Sequence, residues 1–254
     1  MSPPAGEIRS YKGEDEKPIR FMITKARMEG LATANKKATL HPLTLGVWLA
    51  LVALLVQYMN RWPKPGDGIL AFVSALPIFA CTIVPIIALI DWLNRPYFEE
   101  AAQEILRGPD IPDMLDYYAR SPASAAWVLE FNGQIVGVVA VDASMDSEIL
   151  ENLSSARRNA KGTSKTAVIR HFYVEEPYRK VDIQRDLLQH ALRHTFTPDS
   201  KVQEIKTTCS SLTGYIQRCL KDEGFTLEST GKSLGVYKWK TGIWRLGRDR
   251  FGRK

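Results

Sequence analysis

Two long segments of the chain contain no charged residue. They cover residues 43–59 and 69–90, and a short stretch that is polar and rich in Pro and Gly connects them over 60–68. A helix needs about 20 mostly apolar residues to cross the hydrocarbon core of a bilayer. So short a connection requires two helices to run antiparallel. The pattern therefore predicts a transmembrane helical hairpin over 40–94, with helices over 40–59 and 69–92.

A pair of buried core helices is the alternative interpretation of these segments. Helices that are apolar on all sides belong in lipid or in a large core, and no other part of this chain is apolar enough to enclose two of them. Six basic residues flank the segments and two lie in the connection, namely Lys25, Arg27, Lys36, Lys37, Arg95 and Arg107 against Arg61 and Lys64. Because cytosolic flanks carry the excess of Lys and Arg, both termini are expected in the cytosol.

The rest of the chain alternates between helical and strand patterns, which predicts an α/β (α+β) domain interrupted by the hairpin. Asn132-Gly133 joins two β-rich stretches and favours a type I′ turn, because both residues tolerate positive φ. The expected segments are a flexible tail over 1–7, a first strand and helix within 8–39, the main part over 95–240 and a basic aromatic tail over 241–254. The main part is expected to hold strands over 124–131, 134–142, 167–174 and 202–209, helices over 183–194 and 212–222, an exposed loop over 151–166 and a closing strand pair over 225–228 and 235–239.

Composition changes this picture at the C-terminal end. The chain has 254 residues, a formal net charge of +6 and three scattered cysteines, which do not indicate a disulfide framework or a zinc cluster. Residues 238–254 hold seven basic residues and one acidic residue, so they account for the whole net charge. Basic residues interleaved with aromatic ones suit an anionic membrane surface. The hairpin argues against nucleic acid, which the same composition would allow, and a solvated tail is the remaining alternative.

Two stretches carry a resemblance to a known family. IRHFYVEEPYRKVDIQRDLLQHAL (169–192) resembles the cofactor motif of the GNAT acetyltransferases, and GYIQRCLKDEGF (214–225) resembles their last helix, which ends in Gly-Phe. With its early membrane hairpin, the chain is similar to the hairpin-anchored acetyltransferases of the endoplasmic reticulum. The resemblance implies a GNAT-like mixed central sheet flanked by helices, acetyl-CoA as the acetyl donor and a small-molecule or protein amine as the acceptor.

The resemblance also implies a cofactor site at the end of one strand and the start of the next helix. Its expected members are Phe172, Tyr173, Val174, Arg179, Lys180, Val181, Asp182, Ile183 and Gln184. Asp182 and Gln184 stand where the family has loop glycines, and Leu220 stands where it has a tyrosine. Asp182 is expected to cap the helix by accepting from the backbone N–H of Gln184 or Arg185. A carboxylate there would compete with a phosphate for these donors.

Four residues are catalytic candidates, and each has an ordinary structural interpretation. His171, Tyr173 and Glu175 follow one another along the motif strand and the turn after it, where His171 could also be a hydrogen-bonded core residue and Glu175 part of a solvated turn. Tyr215 is a substitute for the missing tyrosine, or a packing residue. His190 and His194 have a metal-compatible spacing but no accompanying glutamate of a zinc motif, so no metal site is predicted.

Two functions remain open. The first is a membrane-bound N-acetyltransferase on the cytosolic face of the endoplasmic reticulum, which Arg179 and the motif strand favour. The second is a non-catalytic membrane protein of the same fold that acts as a chaperone or export factor for membrane transporters. The missing glycines and tyrosine favour this one. A fungal packaging chaperone for phosphate transporters is similar in plan, including the HPLTL entry (41–45) to its first span. The expected partners are the lipid bilayer, an amine acceptor and, in the second case, another membrane protein.

Overall fold

A central β-sheet organises the molecule. The computed structural model describes residues 6–62, 73, 76–147, 160–197 and 199–251. In this part of the chain the strands are β1 Gly6–Ser10, β2 Ala125–Phe131, β3 Gln134–Ser144, β4 Thr163–Val174, β5 Glu204–Ser210, β6 Thr226–Leu234 and β7 Trp239–Gly247. They form one sheet in the order β1-β2-β3-β4-β5-β7-β6, in which only β4 and β5 are parallel neighbours. The predicted mixed sheet is confirmed.

Helices cover both faces of this sheet. They are α1 Glu16–Thr39, α2 Pro42–Tyr58, α3 Leu76–Leu106, α4 Met114–Tyr118, α5 Ile183–Thr195, α6 Gly214–Asp222 and α7 Arg248–Phe251, with 3-10 helices at Gly13–Asp15 and Glu176–Val181. On one face, α5 contributes Leu187 and Leu188 to a core that also holds Leu246. On the other face, α1 contributes Ile19 to a core that also holds Val138. The two cores bury the apolar surface that drives folding.

The turn between β2 and β3 has the predicted conformation. Asn132 and Gly133 have φ values of 52° and 74°, both in the left-handed region. A type I′ turn requires positive φ at both central positions, and its twist matches that of the flanking strands. The dipeptide therefore sets the register of β2 against β3.

The apolar segments form two packed helices. Trp48 Nε1 on α2 donates to Thr82 Oγ1 on α3 at 3.0 Å, and further along α2, Val52 and Val56 pack against Ile78. Residues later in α2 therefore contact residues earlier in α3. The helices run antiparallel, as predicted. Among the described helices, α3 alone is long and apolar enough to cross a bilayer by itself, and α2 passes the same test only when joined to α1 across a bend of 56°.

The boundaries of two predicted irregular segments are wrong. Gly6 and Glu7 were expected in the tail over 1–7, but they belong to β1 and pair with Phe131 and Glu130 of β2. Residues 163–166 were expected in the polar loop over 151–166, but β4 already begins at Thr163. Polar residues are tolerated there because this end of the strand lies near the edge of the core. Residues 1–5 and 151–159 of these segments lie outside the described part.

The described part of the basic aromatic segment, residues 241–251, is not a free tail. Residues 241–247 belong to β7, which lies between β5 and β6 and alternates buried Trp244 and Leu246 with exposed Arg245. Arg245 forms an ion pair with Glu204 on β5, and Arg248 donates to the carbonyl oxygen of Val202 at 2.8 Å. The charges obscured a period-two strand pattern, because basic side chains here point outward from a buried strand.

Replacing Trp244 by Ala should lower the free energy of unfolding by about 3–5 kcal/mol, the usual cost of removing a buried aromatic side chain. Arg250, which is exposed on α7, provides the matched control, and Arg250→Ala should change stability by less than about 0.5 kcal/mol. Denaturant unfolding in detergent, followed by tryptophan fluorescence and circular dichroism, measures both. Equal and small effects of the two substitutions would restore the interpretation of this segment as a tail.

Candidate active site

Strands β4 and β5 separate part-way along their length. They are paired as far as Ile169 and Thr207, and a bulge follows in β4, because Val141 of β3 pairs with Ile169 whereas the adjacent Ala140 pairs with His171. Arg170 is the extra residue. A bulge bends the strand that carries it, and β4 diverges from β5 beyond this point. The gap opens into a cavity that α1 closes on one side, with lining residues that include Ile23, Arg27, His171, Tyr173, Thr207 and Cys209.

A left-handed turn connects the end of β4 to helix α5. The 3-10 helix Glu176–Val181 leads into Asp182, which has a φ of 55°. The carbonyl oxygen of Asp182 accepts from the backbone N–H of Arg185 at 2.8 Å. The backbone N–H groups of Ile183 and Gln184 have no acceptor within the helix, because they lie in its first turn. Together with the helix dipole, they form a site suited to an anion.

The prediction that the Asp182 side chain caps α5 is wrong. Its carboxylate accepts from the side-chain amide of Gln184 at 3.0 Å, and no backbone N–H of the helix donates to it. A side-chain cap needs an extended backbone at the capping residue, whereas Asp182 is left-handed. The carboxylate therefore leaves the backbone donors of the first turn open, although its negative charge remains beside them.

Arg179 ties the loop to two other elements. Its guanidinium forms a bidentate ion pair with Glu29 on α1, at 2.5 and 2.7 Å. Its Nε donates to the carbonyl oxygen of Val174, the last residue of β4, at 2.7 Å. The guanidinium carbon also lies 3.7 Å from the ring centre of Tyr215. The predicted cofactor residue thus acts here as a cross-link between β4, α1 and α6.

Two of the predicted tyrosines meet at this arginine. Tyr215, in the first turn of α6, and Tyr173 of β4 lie 3.7 and 5.3 Å from the Arg179 guanidinium. Burial raises the pKa of Tyr215, and burial together with the nearby charges of Glu175 and Glu29 raises the pKa of Tyr173. Both hydroxyls therefore stay protonated at neutral pH. Leu220, which stands where the family has its tyrosine, is fully buried in the core.

Glu175 follows β4 and is held by α1. Its carboxylate forms an ion pair with Lys25 at 2.5 Å, and the Tyr173 hydroxyl lies 3.5 Å from the same oxygen. Glu29 and Lys25 are four residues apart on α1, so they share one helix face. The two ion pairs fasten that face to the loop after β4.

His171 lies deeper in the gap and has a buried partner. Its Nε2 is 2.6 Å from Oδ2 of Asp110, which also accepts from the Tyr118 hydroxyl at 2.9 Å. Both His171 and Asp110 are buried, and His171 lines the cavity between β4 and β5. The arrangement of a histidine backed by a carboxylate is typical of a general base.

The other predicted site residues pack in the core near α5 or lie on the loop before this helix. Phe172 and Ile183 pack against the core below α5. Lys180 and Val181 are exposed on the loop, and the side chain of Gln184 is buried. His190 and His194 contact the ring of Trp127, and no group of three metal-ligating residues occurs among the described residues.

Sequence reasoning missed three residues of this site. Lys25 was considered only as a flanking charge and Glu29 only as part of a helix, although their four-residue spacing places them on one helix face. Asp110 lies in an irregular loop after α3, and no local pattern marks it. Its importance arises from a contact with a residue 61 positions away.

Comparison with known proteins agrees with this geometry. The model of the acetyltransferase (GNAT) family matches residues 86–211. The chain has the GNAT acetyltransferase fold. It is 26% identical to mouse N-acetyltransferase 8F1 over 191 residues, which is 72% of this chain and 79% of that protein. It is 24% identical to rat N-acetyltransferase family 8 member 3 over 186 residues, which is 73% of this chain and 69% of that protein.

One solved structure also matches the chain. It is yncA, a putative acetyltransferase from Salmonella typhimurium with its cofactor acetyl-CoA, and it is 15% identical to this chain. The alignment covers 96% of this chain and 95% of that chain, with a TM-score of 0.47. Acetyl-CoA is the acetyl donor of GNAT acetyltransferases.

The residues of this GNAT domain fit acetyl-CoA at two places. The gap between β4 and β5 exposes backbone edges that suit the amide groups of a pantetheine arm. The open N–H groups of Ile183 and Gln184 suit its pyrophosphate. Asp182 keeps the left-handed backbone that favours glycine, so the turn is retained although the glycine is not. The unfavourable feature is the charge of its carboxylate.

Proposed function

We propose that the protein is a membrane-anchored N-acetyltransferase that transfers an acetyl group from acetyl-CoA to an amine. The divergence of β4 from β5 at Arg170 carries this proposal, because the gap opens into a cavity that His171 lines, and the same strand leads through the loop over 175–182 to the open start of α5. A donor lying along β4 with its pyrophosphate at Ile183 and Gln184 would present its acetyl group towards that cavity.

His171 is the best candidate for the general base. A neutral imidazole can accept a proton from an ammonium group and so free its nitrogen for attack. The carboxylates of Glu29 and Glu175 are less suited to this role, because both are engaged in ion pairs with Arg179 and Lys25. When bound, acetyl-CoA supplies the activated acetyl group.

Tyr215 is the best candidate for the general acid. Its hydroxyl is protonated at neutral pH and can donate to a leaving thiolate, while burial raises its pKa and so makes it a weaker acid. Arg179 packs on its ring and orients it towards the end of β4. Tyr215 thereby replaces the tyrosine whose usual position is taken by Leu220.

Purified protein in detergent should bind acetyl-CoA in calorimetric titration. Because the Asp182 carboxylate repels the pyrophosphate, Asp182→Asn should bind more tightly by about 3–10-fold, equivalent to about 0.7–1.4 kcal/mol. Asp182→Gly should do the same, since both residues accept a left-handed backbone. Agreement between the two variants assigns the effect to charge. No binding by the wild-type chain up to millimolar acetyl-CoA would contradict the enzymatic function.

Tyr215→Phe should lower kcat for acetyl transfer by about 10²–10⁴-fold, the usual contribution of a general acid, and should leave acetyl-CoA affinity within about threefold. Tyr178→Phe is the matched control, because Tyr178 lies on the neighbouring loop and packs its ring against Phe131. The measurement is thiol release during incubation with a panel of primary amines. Equal rates for the two variants would remove Tyr215 from the reaction.

Membrane anchoring is supported by the surfaces of α2 and α3. Large apolar side chains on both helices point away from the protein, among them Leu54, which is 67% exposed, and Val84, which is 63% exposed. A soluble protein rarely leaves so much contiguous apolar surface open. We place the hairpin in the endoplasmic reticulum membrane, with both termini and the sheet on the cytosolic side.

Glycosylation acceptors inserted within 60–68 should be modified in cells, and acceptors added after residue 254 should not, because only the connection would enter the lumen. A mobility shift that glycosidase reverses is the readout. Modification of the C-terminal acceptor would reverse the proposed orientation, and modification of neither acceptor would argue against a lumenal connection.

The second candidate is a non-catalytic chaperone or export factor for membrane transporters. The contact that favours it is the bidentate pair between Glu29 and Arg179, because it occupies a cation that could otherwise help to hold an anionic ligand. Asp182 and Gln184 in place of glycines point the same way. The acetyl-CoA titration separates the two functions, since the second requires no cofactor.

A further inference from the structure

Asp110 occupies a specific place in the fold, directly after the long helix α3. The backbone N–H of Gly108 bonds to the carbonyl oxygen of Ile105 at 2.8 Å, and the chain then turns inward so that Asp110 is buried. A Cβ at Gly108 would lie 2.8 Å from that carbonyl oxygen and 2.9 Å from Oδ1 of Asp110. Only glycine fits there without a shift, so the loop is built around this carboxylate.

The carboxylate of Asp110 is ionised. Burial alone would raise its pKa, but the neighbouring His171, Arg170 and Tyr118 hydroxyl outweigh burial and hold the pKa below its usual value. An ionised carboxylate only accepts hydrogen bonds. At 2.6 Å from Oδ2, the Nε2 atom of His171 must therefore carry a hydrogen.

This requirement determines the other nitrogen of the imidazole. In a neutral ring, a hydrogen on Nε2 leaves the lone pair on Nδ1. Nδ1 has no hydrogen-bond partner among the described residues, and His171 is one of the residues that line the cavity between β4 and β5. The lone pair is thus available to a group inside the cavity, whereas the opposite tautomer would offer a hydrogen.

We infer that Asp110 is a positioning residue that holds His171 in the Nε2–H tautomer, with Tyr118 fixing the carboxylate. The inference rests on the proposed acetyltransferase function, in which His171 accepts the proton of the amine. Asp110 does not touch the reacting atoms. It acts by keeping the accepting nitrogen free and by stabilising the imidazolium that forms when the proton arrives.

A nitrogen-15 NMR experiment on histidine-labelled protein in detergent reads the tautomer directly. The chain has four histidines, and loss of one signal in His171→Gln assigns the resonance of His171. We expect the Nε2–H pattern at neutral pH in the wild-type chain. In Asp110→Asn, which retains the shape but not the charge, we expect a mixture of tautomers or the Nδ1–H pattern.

Kinetics of the same variants test the consequence. Asp110→Asn should lower kcat for acetyl transfer by about 10²–10⁴-fold, as when the carboxylate behind a catalytic histidine is replaced, with acetyl-CoA affinity unchanged. Tyr118→Phe keeps the carboxylate, so it should retain the Nε2–H pattern and lose less than about tenfold. Asp116→Asn is the matched control, because Asp116 is exposed on α4, and it should leave both readouts unchanged.

The outcomes separate this inference from the proposed function. A wild-type chain that shows the Nδ1–H pattern overturns the role of Asp110, even when it binds acetyl-CoA and transfers acetyl groups. A folded Asp110→Asn variant with kcat within about threefold of the wild type does the same. A wild-type chain that neither binds acetyl-CoA nor transfers acetyl groups would contradict the proposed function. In that case the tautomer of His171 alone decides whether Asp110 positions it.

Discussion

The ion pair between Arg170 and Asp142 holds the bulge on which the site depends. Asp142 lies on β3 with no exposed surface, and it accepts from Arg170 Nε at 2.9 Å and from the Tyr117 hydroxyl at 2.9 Å. Arg170, the extra residue of the bulge, is thus paired with a fully buried carboxylate on the neighbouring strand. Asp142 also accepts from the backbone N–H of Ser144 at 3.0 Å and lies 3.5 Å from the Arg120 guanidinium, so a network of donors surrounds this buried carboxylate. The pair therefore disfavours a regular β4 that would remain beside β5.

Helix α1 completes the site from a distant part of the sequence. It precedes the hairpin, whereas the loop that it contacts follows the hairpin by about 80 residues. Two ion pairs, Glu29 with Arg179 and Lys25 with Glu175, make this connection. Because both pairs are partly buried, they resist solvent screening better than exposed pairs do. The hairpin is therefore an insertion into one domain, and the two parts of that domain are held together by charge as well as by apolar packing.

The sequence predicted elements with strong local signals and failed where long-range contacts decide. Asn132-Gly133 specified its turn, and the apolar spacing of α5 specified its buried face. Residues 239–247 were not recognised as an inner strand, because lysines and arginines dominate a segment whose burial depends on two neighbouring strands. The Asp182 side chain was expected to cap α5 and does not, because the left-handed φ of Asp182 cannot be inferred from the residue type. Asp110 and its contact with His171 have no local signature at all.

Helix α3 also determines how far from the membrane the candidate site can lie. Its 31 residues run without a break from the apolar segment to Leu106, a length of about 46 Å at 1.5 Å per residue. Under the proposed anchoring, the part of this helix up to residue 92 lies in hydrocarbon, a length of about 25 Å, and the residues after it form a rigid segment of about 21 Å. No flexible linker separates the anchor from the loop that carries Asp110. If the protein transfers acetyl groups from this anchored position as proposed, acceptors that concentrate near the membrane surface would have an advantage over those dissolved in bulk solution.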